Sequence, residues 1–211
     1  MTPTAPMPTV LMTGFEPFGG DDHNPSGDVA RRLGELGHPD AHIVSEVLPV
    51  SFAQAPALLA AAIDRHQPDI VIMLGLAADR QAITPERVAL NLADARIPDN
   101  DGAQPTDAPL EPHGPAARFT LLPVKQIAHA IDAAGIPAAV SLSAGTYVCN
   151  AQMYIALGIA EQRTGANGKP LQVGFIHVPA TPQLGGDPRF TLDELERGIR
   201  IAITTIVDQR P

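Results

Sequence analysis

The only cysteine of the chain lies at a position where a thiol could act as a nucleophile. Cys149 lies in the first turn of a predicted helix over Tyr147–Gln162, which follows Gly145 and a predicted strand over Ala138–Ser143. A helix N-terminus carries partial positive charge and unpaired N–H groups, which favour a thiolate and can receive an oxyanion. We therefore expect the pKa of the thiol to fall below its usual value of about 8.5.

A histidine and a glutamate could complete such a site. His177 lies at the end of a predicted strand over Leu171–Val178, and Glu86 lies in the long segment after the third strand. The imidazole could take the thiol proton and protonate a leaving amine, and the carboxylate could orient the imidazole. The same residues also fit a buried apolar cysteine, a structural histidine and a solvated loop carboxylate, so their spacing leaves these alternatives open.

Two of the six phenylalanines lie in a glycine-rich loop after the first strand. Aromatic residues make up 4% of the chain, and Phe15 and Phe18 occur within Gly14–Gly20. Core packing is one interpretation, but a loop rich in glycine and proline favours a pocket wall. The loop matches neither G-x-G-x-x-G nor a P-loop, so we do not expect it to bind phosphate.

The elements that must position these residues alternate between strand and helix. Apolar runs and helical periodicity predict strands over Thr9–Thr13, Ile43–Val50, Asp69–Leu76, Ala138–Ser143 and Leu171–Val178, and helices over Asp28–Leu36, Phe52–His66, Val124–Ala134, Tyr147–Gln162 and Thr191–Val207. Strand pieces are also expected over Ala89–Leu92 and Phe119–Leu122, and a capping box at Thr191 and Glu194. The alternation predicts an α/β fold with helices on both faces of a largely parallel sheet, whose ligands bind beyond the carboxyl ends of the strands.

Length and composition limit the classes of protein to which the chain can belong. Its 211 residues suit a single domain, expected over residues 9–211 behind a disordered tail over residues 1–8. A formal net charge of −9 opposes nucleic-acid binding, and no apolar run is long enough to span a membrane. One cysteine fits a reducing cytoplasm, and the spacing of the seven histidines suggests no metal site. We expect a cytoplasmic protein without metal or cofactor.

Four segments together resemble the pyroglutamyl peptidase I (pyrrolidone-carboxylate peptidase) family of cysteine peptidases. They are TGFEPFGG at 13–20 with NPS at 24–26, ITPERVALN at 83–91 with ARIPDN at 95–100, SAGTYVCN at 143–150, and GFIHVP at 174–179. The similarity runs in the same order from about residue 9 to the final helix. One segment departs from the family, because residues 75–80 read GLAADR where many bacterial members read close to G-Q-A-G-G-R. We expect a different backbone path and different pocket-edge contacts there.

The resemblance implies a fold, an activity and a set of site residues. It implies a three-layer α/β/α sandwich around a largely parallel twisted sheet, assembled as a homotetramer or homodimer. The matching positions imply a catalytic triad of Glu86, Cys149 and His177. They also imply that Arg96 lies near the oxyanion, and that Phe15 and Phe18 line the pyroglutamate pocket.

The function that follows is that of a cofactor-free ω-peptidase, which removes an N-terminal pyroglutamate from peptides. Two alternatives are carried beside it. One is a non-catalytic homologue that binds pyroglutamyl peptides. The other is an enzyme such as a nucleoside phosphorylase on a similar sheet, which would need phosphate-binding arginines, and Arg80, Arg87 and Arg96 are the only nearby candidates.

Overall fold

Apolar strands and amphipathic helices alternate along the chain as the sequence predicts. The computed structural model describes residues 7–166 and 168–209. Its strands are β1 (Thr9–Phe15), β2 (His42–Leu48), β3 (Ile70–Leu76), β4 (Thr84–Pro85), β5 (Val88–Leu90), β6 (Ala117–Phe119) and β7 (Gln172–Val178). Its helices are α1 (Pro25–Leu36), α2 (Gln54–His66), α3 (Val124–Ala133), α4 (Val148–Ala160) and α5 (Leu192–Asp208), with a 3-10 turn over Pro182–Leu184.

Five strands form the central sheet in the order β2-β1-β3-β7-β4. The first four run parallel, and β4 pairs antiparallel with β7 at the edge. Strands β1, β3 and β7 are buried along almost their whole length, as expected for parallel strands covered on both faces. Strands β5 and β6 form a separate antiparallel pair. The carboxyl ends of β1, β3 and β7 therefore meet at one rim of the sheet.

Helices cover both faces of the sheet and bury two apolar clusters against it. Helices α1, α3 and α5 pack on one face, and helices α2 and α4 pack on the other. Helix α5 presents the predicted stripe of Leu195, Ile199, Ala202 and Ile206, all buried. Half of the predicted capping box begins this helix: the Glu194 N–H donates to the Thr191 hydroxyl at 3.2 Å, but the Glu194 carboxylate pairs with Arg197 and does not return to the Thr191 N–H. The α/β/α arrangement expected for the chain is confirmed.

The expected strand over Ala138–Ser143 is wrong as a regular element, because a proline interrupts its pairing. The segment lies parallel to residues 83–87 and forms only two isolated bridges there, Ile83 with Ala138 and Glu86 with Ser141. Hydrogen bonds flank position 85 on both sides, but Pro85 has no N–H to donate between them. The segment still leads directly into α4, so it places Cys149 on the expected rim.

The structure describes the last two residues of the expected N-terminal tail. Residues 1–6 of the expected tail lie outside the described residues, whereas Pro8 is buried and its carbonyl accepts a hydrogen bond from the His42 N–H at 2.9 Å. The expected strand pieces in the middle of the chain appear as β5 and β6. Strand β5 begins one residue and ends two residues earlier than expected, and β6 begins two residues and ends three residues earlier. In the part of the chain that the structure describes, no helix has the length and apolar character needed to cross a membrane.

Candidate active site

A small pocket opens at the rim where β1, β3 and β7 end and α4 begins. Its volume is about 130 Å³, and its wall includes Phe15, Phe18, Leu76, Tyr147, Cys149 and His177. The sequence places these residues on four different elements, up to 162 positions apart (177 − 15). The fold thus brings the predicted thiol, imidazole and phenylalanines to one cavity.

Pairing between β4 and β7 positions the imidazole against a carboxylate. Thr84 lies opposite His177 in the antiparallel register, so Glu86 projects from the same face two residues along. His177 Nδ1 lies 2.7 Å from Glu86 Oε1. Glu86 is fully buried, which excludes the alternative of a solvated loop carboxylate. A carboxylate at Nδ1 favours the tautomer with hydrogen on Nδ1, which leaves Nε2 as a proton acceptor.

An arginine that the sequence did not single out for this role binds the same carboxylate oxygen. Arg80 Nη1 lies 2.5 Å from Glu86 Oε1, and Arg80 Nη2 donates to the Ser143 carbonyl at 3.0 Å. Glu86 Oε2 is buried and has no hydrogen-bond partner among the described residues. Arg80 and His177 therefore both contact one oxygen of Glu86, and the guanidinium offsets its buried charge.

A glycine makes room for the thiol beside the histidine. Gly75 lies opposite His177 in the parallel pairing of β3 with β7. A Cβ at position 75 would lie 3.0 Å from Cys149 Sγ and 2.6 Å from the Phe175 ring. Because Gly75 has no side chain, the Cys149 thiol can lie against β3 at the residue that pairs with His177. A glycine inside an apolar strand often marks such a close approach, and this signal was available in the sequence.

The protonation of the thiol differs from the prediction. Burial, with a smaller contribution from the Glu86 carboxylate, raises the pKa of the Cys149 thiol to about 12. Burial lowers the pKa of His177, although its hydrogen bond to Glu86 opposes the shift. The expected lowering of the thiol pKa is wrong, because loss of hydration outweighs the helix N-terminus. Both shifts favour the uncharged forms of the resting pair, a thiol on Cys149 and an imidazole on His177.

The first turn of α4 borders the pocket with its backbone. Tyr147 is the N-cap residue, and no side chain caps the helix there. Tyr147, Val148 and Cys149 all line the pocket. The first backbone N–H groups of an α-helix have no partner within the helix, so those of α4 can donate to a negatively charged oxygen beside the thiol.

Three aromatic rings form the apolar wall of the pocket. Phe15 is buried, and its ring centroid lies 6.5 Å from that of Phe175, so it packs in the core and lines the pocket at once. The Phe18 ring lies 6.3 Å from the Tyr147 ring, and Phe52 meets Tyr147 edge-on at 5.4 Å. Tyr147 is a pocket residue that sequence reasoning missed, although it lies within the motif that contains Cys149.

Residues 98–100 hold this wall in place. The Tyr147 hydroxyl donates to the Pro98 carbonyl at 2.9 Å, and Asn100 Nδ2 donates to the Pro17 carbonyl at 3.1 Å. The Asn100 N–H donates to the Val50 carbonyl at 2.9 Å. One short segment thus connects the loops that contain Phe18 and Tyr147, and fixes the width of the pocket.

Arg96 lies apart from the thiol pocket. It is exposed and lines a second cavity, which shares Phe18, Leu76 and Tyr147 with the pocket. The structure therefore brings together five of the six predicted site residues and places Arg96 next to them. Its implied position near the oxyanion stays a prediction. Among residues 7–166 and 168–209, no group of three or more histidine, cysteine, aspartate or glutamate side chains is placed to hold a metal ion.

Known proteins resemble the chain over nearly its whole length. It matches the family model of pyroglutamyl peptidase over residues 8–209. It is 48% identical over 201 residues to the pyrrolidone-carboxylate peptidase of Bacillus subtilis (strain 168), covering 93% of this chain and 91% of the relative. It is 42% identical over 205 residues to the pyrrolidone-carboxylate peptidase of Vibrio vulnificus (strain YJ016), covering 96% and 94%.

Solved structures agree with the fold as well as with the sequence. The crystal structure of pyroglutamyl peptidase I from Bacillus amyloliquefaciens matches with a TM-score of 0.87 at 43% identity, covering 96% of this chain and 98% of that one. The pyrrolidone carboxyl peptidase from Thermococcus litoralis matches with a TM-score of 0.89 at 41% identity, covering 96% and 94%. Sequence and fold agree over the same residues, and the chain belongs to the pyroglutamyl peptidase family.

Proposed function

We propose that this chain is a cysteine peptidase that hydrolyses the amide bond after an N-terminal pyroglutamate and releases 5-oxoproline. The observation that carries the proposal is the shared pocket, in which Cys149 and His177 face Phe15 and Phe18 while Glu86 binds the imidazole. The relatives named above are pyroglutamyl or pyrrolidone-carboxylate peptidases, which supports the same activity. The proposed catalytic residues are Cys149, His177 and Glu86.

The first step forms a thioester. His177 Nε2 takes the thiol proton as Cys149 Sγ attacks the carbonyl carbon that follows the lactam ring. The resulting oxyanion lies against the backbone N–H groups of the first turn of α4. His177 then gives the proton to the leaving amine, the C–N bond breaks, and pyroglutamate remains bound to Sγ as a thioester. Glu86 keeps the imidazole oriented and stabilises its charge while it holds the proton.

The second step releases pyroglutamate. His177 takes a proton from water, whose oxygen attacks the thioester carbon and forms a second tetrahedral intermediate. The C–S bond breaks, the proton returns to Sγ, and free 5-oxoproline leaves the pocket. The neutral resting pair suits both steps, because Nε2 begins each of them as a base.

The pocket wall suits the lactam. Pyroglutamate is flat and uncharged, so aromatic rings can hold its faces without a counter-ion, and a few backbone groups can pair with its N–H and carbonyl. The phosphorylase-like alternative finds less support, because Arg80 is engaged with Glu86 and Ser143. A non-catalytic binding protein would have no use for a histidine held at 2.7 Å from a buried glutamate.

A fluorogenic assay tests this proposal. The wild-type protein should release 7-amino-4-methylcoumarin from its pyroglutamyl amide, and Cys149→Ala should release none above background while keeping the wild-type circular dichroism spectrum. Pyroglutamyl ligand should slow alkylation of Cys149 by iodoacetamide. Protection from alkylation without turnover would favour the binding protein. The absence of both turnover and protection would contradict both readings.

We further propose that the protein assembles as a homotetramer or homodimer in the cytoplasm. Phe119 and Leu121 are 63% and 70% exposed and border a cavity with Leu157, Leu171 and Val173. Large exposed apolar side chains in one patch mark surfaces that proteins bury against partners. Light scattering should give a mass of two or four chains, which Phe119→Asp lowers. A monomeric wild type would contradict the assembly.

A single thiol that must stay reduced fits the cytoplasm, and fractionation of cells that produce the protein would test this location.

A further inference from the structure

A second cavity adjoins the thiol pocket and is not used by the reaction described so far. Its volume is about 470 Å³, against about 130 Å³ for the pocket. The two share Phe18, Leu76 and Tyr147 as a common wall. A molecule that fills the pocket and extends past this wall therefore enters the second cavity.

The substrate must extend beyond the pocket on the side of the leaving amine. The lactam ring ends the peptide, so everything else in the substrate is attached through the bond that is broken. His177 delivers a proton to the nitrogen of that bond, so the leaving peptide lies next to the imidazole. Leu76 and Ala77 line the second cavity and adjoin the residue after His177, because Leu76 pairs with Val178 and the Ala77 N–H donates to the Val178 carbonyl at 2.9 Å. The second cavity is thus on the side of the leaving group.

Negatively charged side chains outnumber positively charged ones in the second cavity. Asp79 and Asp94 contribute two carboxylates, and Arg96 contributes one guanidinium. All three residues are exposed. We propose, resting on the proposed function, that this cavity binds the residue that follows pyroglutamate, and that Asp79 makes the enzyme prefer a basic side chain there over an acidic one.

Asp79 is better placed than Asp94 to set this preference. Asp94 holds its loop together, since its backbone exchanges hydrogen bonds with Thr146 and its carboxylate accepts one from the Asp107 N–H. Asp79 follows the end of β3 in a turn closed by the Arg80 N–H and the Ala77 carbonyl. Substituting Asp79 therefore changes the charge of the cavity and leaves the hydrogen bonds of its other wall intact.

The size of the effect follows from the exposure of the carboxylate. One exposed charge pair changes binding by a factor of up to about five. Attraction of a lysine raises kcat/KM for the lysine substrate, and repulsion of a glutamate lowers kcat/KM for the glutamate substrate. Both effects raise the ratio of the two values. We therefore expect kcat/KM for pyroglutamyl-lysine amide to exceed that for pyroglutamyl-glutamate amide by about tenfold at low salt. Added salt should reduce the ratio, because it screens exposed charges.

The test compares three substrates in the full-length protein. kcat/KM is measured for pyroglutamyl-lysine, pyroglutamyl-glutamine and pyroglutamyl-glutamate amides by chromatography of the released amide. Asp79→Asn should reduce the lysine-to-glutamate ratio to about threefold or less, and Asp79→Lys should bring it below one. The ratio within one variant cancels any common effect on His177. The matched control is Asp132→Lys, which changes an exposed aspartate on α3, across the sheet from α4.

The outcomes separate this inference from the proposed function. Equal hydrolysis of all three amides, or a ratio that Asp79→Lys leaves unchanged, overturns the subsite while the peptidase activity stands. A shift of the same size in Asp132→Lys also overturns it, because the preference would then come from net charge. Failure to hydrolyse any of the three amides overturns the proposed function, and the subsite with it.

Discussion

At the scale of single residues, one oxygen of Glu86 contacts both the guanidinium of Arg80 and the imidazole of His177. His177 and Arg80 both contact Oε1, at 2.7 and 2.5 Å. The contact with Glu86 orients the imidazole, but the guanidinium neutralises part of the negative charge that would otherwise stabilise a protonated His177. Burial lowers the pKa of His177 most, Glu86 raises it, and Arg80 lowers it by a smaller amount. The site thus favours a neutral histidine even though a carboxylate lies beside it.

Substitutions should rank the three proposed catalytic residues. His177→Ala should lower kcat as much as Cys149→Ala, by about 10⁴-fold or more, because nucleophile and base act as one unit. Glu86→Gln should cost less, about 10²-fold, because the amide oxygen can still accept a hydrogen bond from Nδ1. The measurement is kcat on a pyroglutamyl amide, with melting temperature as the check on folding. Equal and small losses in all three variants would point to a different base.

The thiol should titrate far above neutral pH. With the pKa of Cys149 raised to about 12, the rate of alkylation by iodoacetamide should keep rising through pH 9 without a plateau. Activity should fall only where His177 becomes protonated. Because burial lowers its pKa, the acid limb of kcat/KM should lie below about pH 6.5, the usual value for histidine. A plateau of alkylation already at pH 7 would instead reveal a stable thiolate–imidazolium pair.

Arg80 should set the position of that acid limb. Arg80→Leu removes a cation that disfavours protonation of His177, so the pKa of His177 should rise and the acid limb should move to higher pH. Arg80→Lys keeps the positive charge and should leave the limb within a few tenths of a unit. If both variants lose activity equally at every pH, Arg80 acts only on folding.

At the scale of elements, β3 must lack a side chain where it passes the thiol. Gly75→Ala would place a methyl group 2.6 and 2.8 Å from two carbons of the Phe175 ring and 3.0 Å from Cys149 Sγ. The Phe175 ring also lies beside the His177 ring, with centroids 4.8 Å apart and planes tilted by 50°, so a displaced Phe175 would push on the imidazole. We expect about 1–3 kcal/mol of destabilisation in urea unfolding and at least a tenfold loss of kcat/KM. Wild-type activity with wild-type stability would show that β3 can shift to accommodate the methyl group without loss of stability or function.

Sequence patterns predicted the elements better than their pairing. Apolar runs identified β1, β3 and β7 because strands buried on both faces are apolar along their length. Alanine and leucine content identified α2, and an apolar stripe identified α5. The segment over Ala138–Ser143 has the composition of a strand, yet Pro85 in the adjacent segment of the sheet interrupts its ladder. That interruption depends on which segment lies alongside, which no local pattern shows.

The candidate site was predictable in its residue types and less so in its contacts. The order of motifs identified Cys149, His177 and Glu86, and strand ends explained why they meet. The role of Arg80 depends on the turn after β3 folding back toward β4, and the pKa of the thiol depends on how fully the fold encloses it. Both are consequences of tertiary packing. Arg96 could be matched to a motif, but its direction is set by the loop in which it lies.

At the scale of the whole molecule, the described part of the chain gives the pocket a wall without a carboxylate. No carboxylate lines it among the described residues: Glu16 is exposed and outside its wall, and Glu86 contacts the far nitrogen of His177. A protonated prolyl amine in this pocket would lose hydration without a counter-ion, at a cost of several kcal/mol. Proline also lacks the lactam carbonyl, which leaves a donor unpaired at about 1–3 kcal/mol. An N-terminal glutamate is open, longer and charged.

The most direct measurement is therefore the ratio of kcat/KM values on matched coumarin amides of pyroglutamate, proline and glutamate. The penalties against proline and glutamate act in the same direction, and each 1.4 kcal/mol is worth a factor of ten. We predict that the pyroglutamyl amide is preferred over both others by more than about a thousandfold, and that Cys149→Ala abolishes its hydrolysis. Comparable values on the prolyl and pyroglutamyl amides would contradict the assignment of the pocket to pyroglutamate.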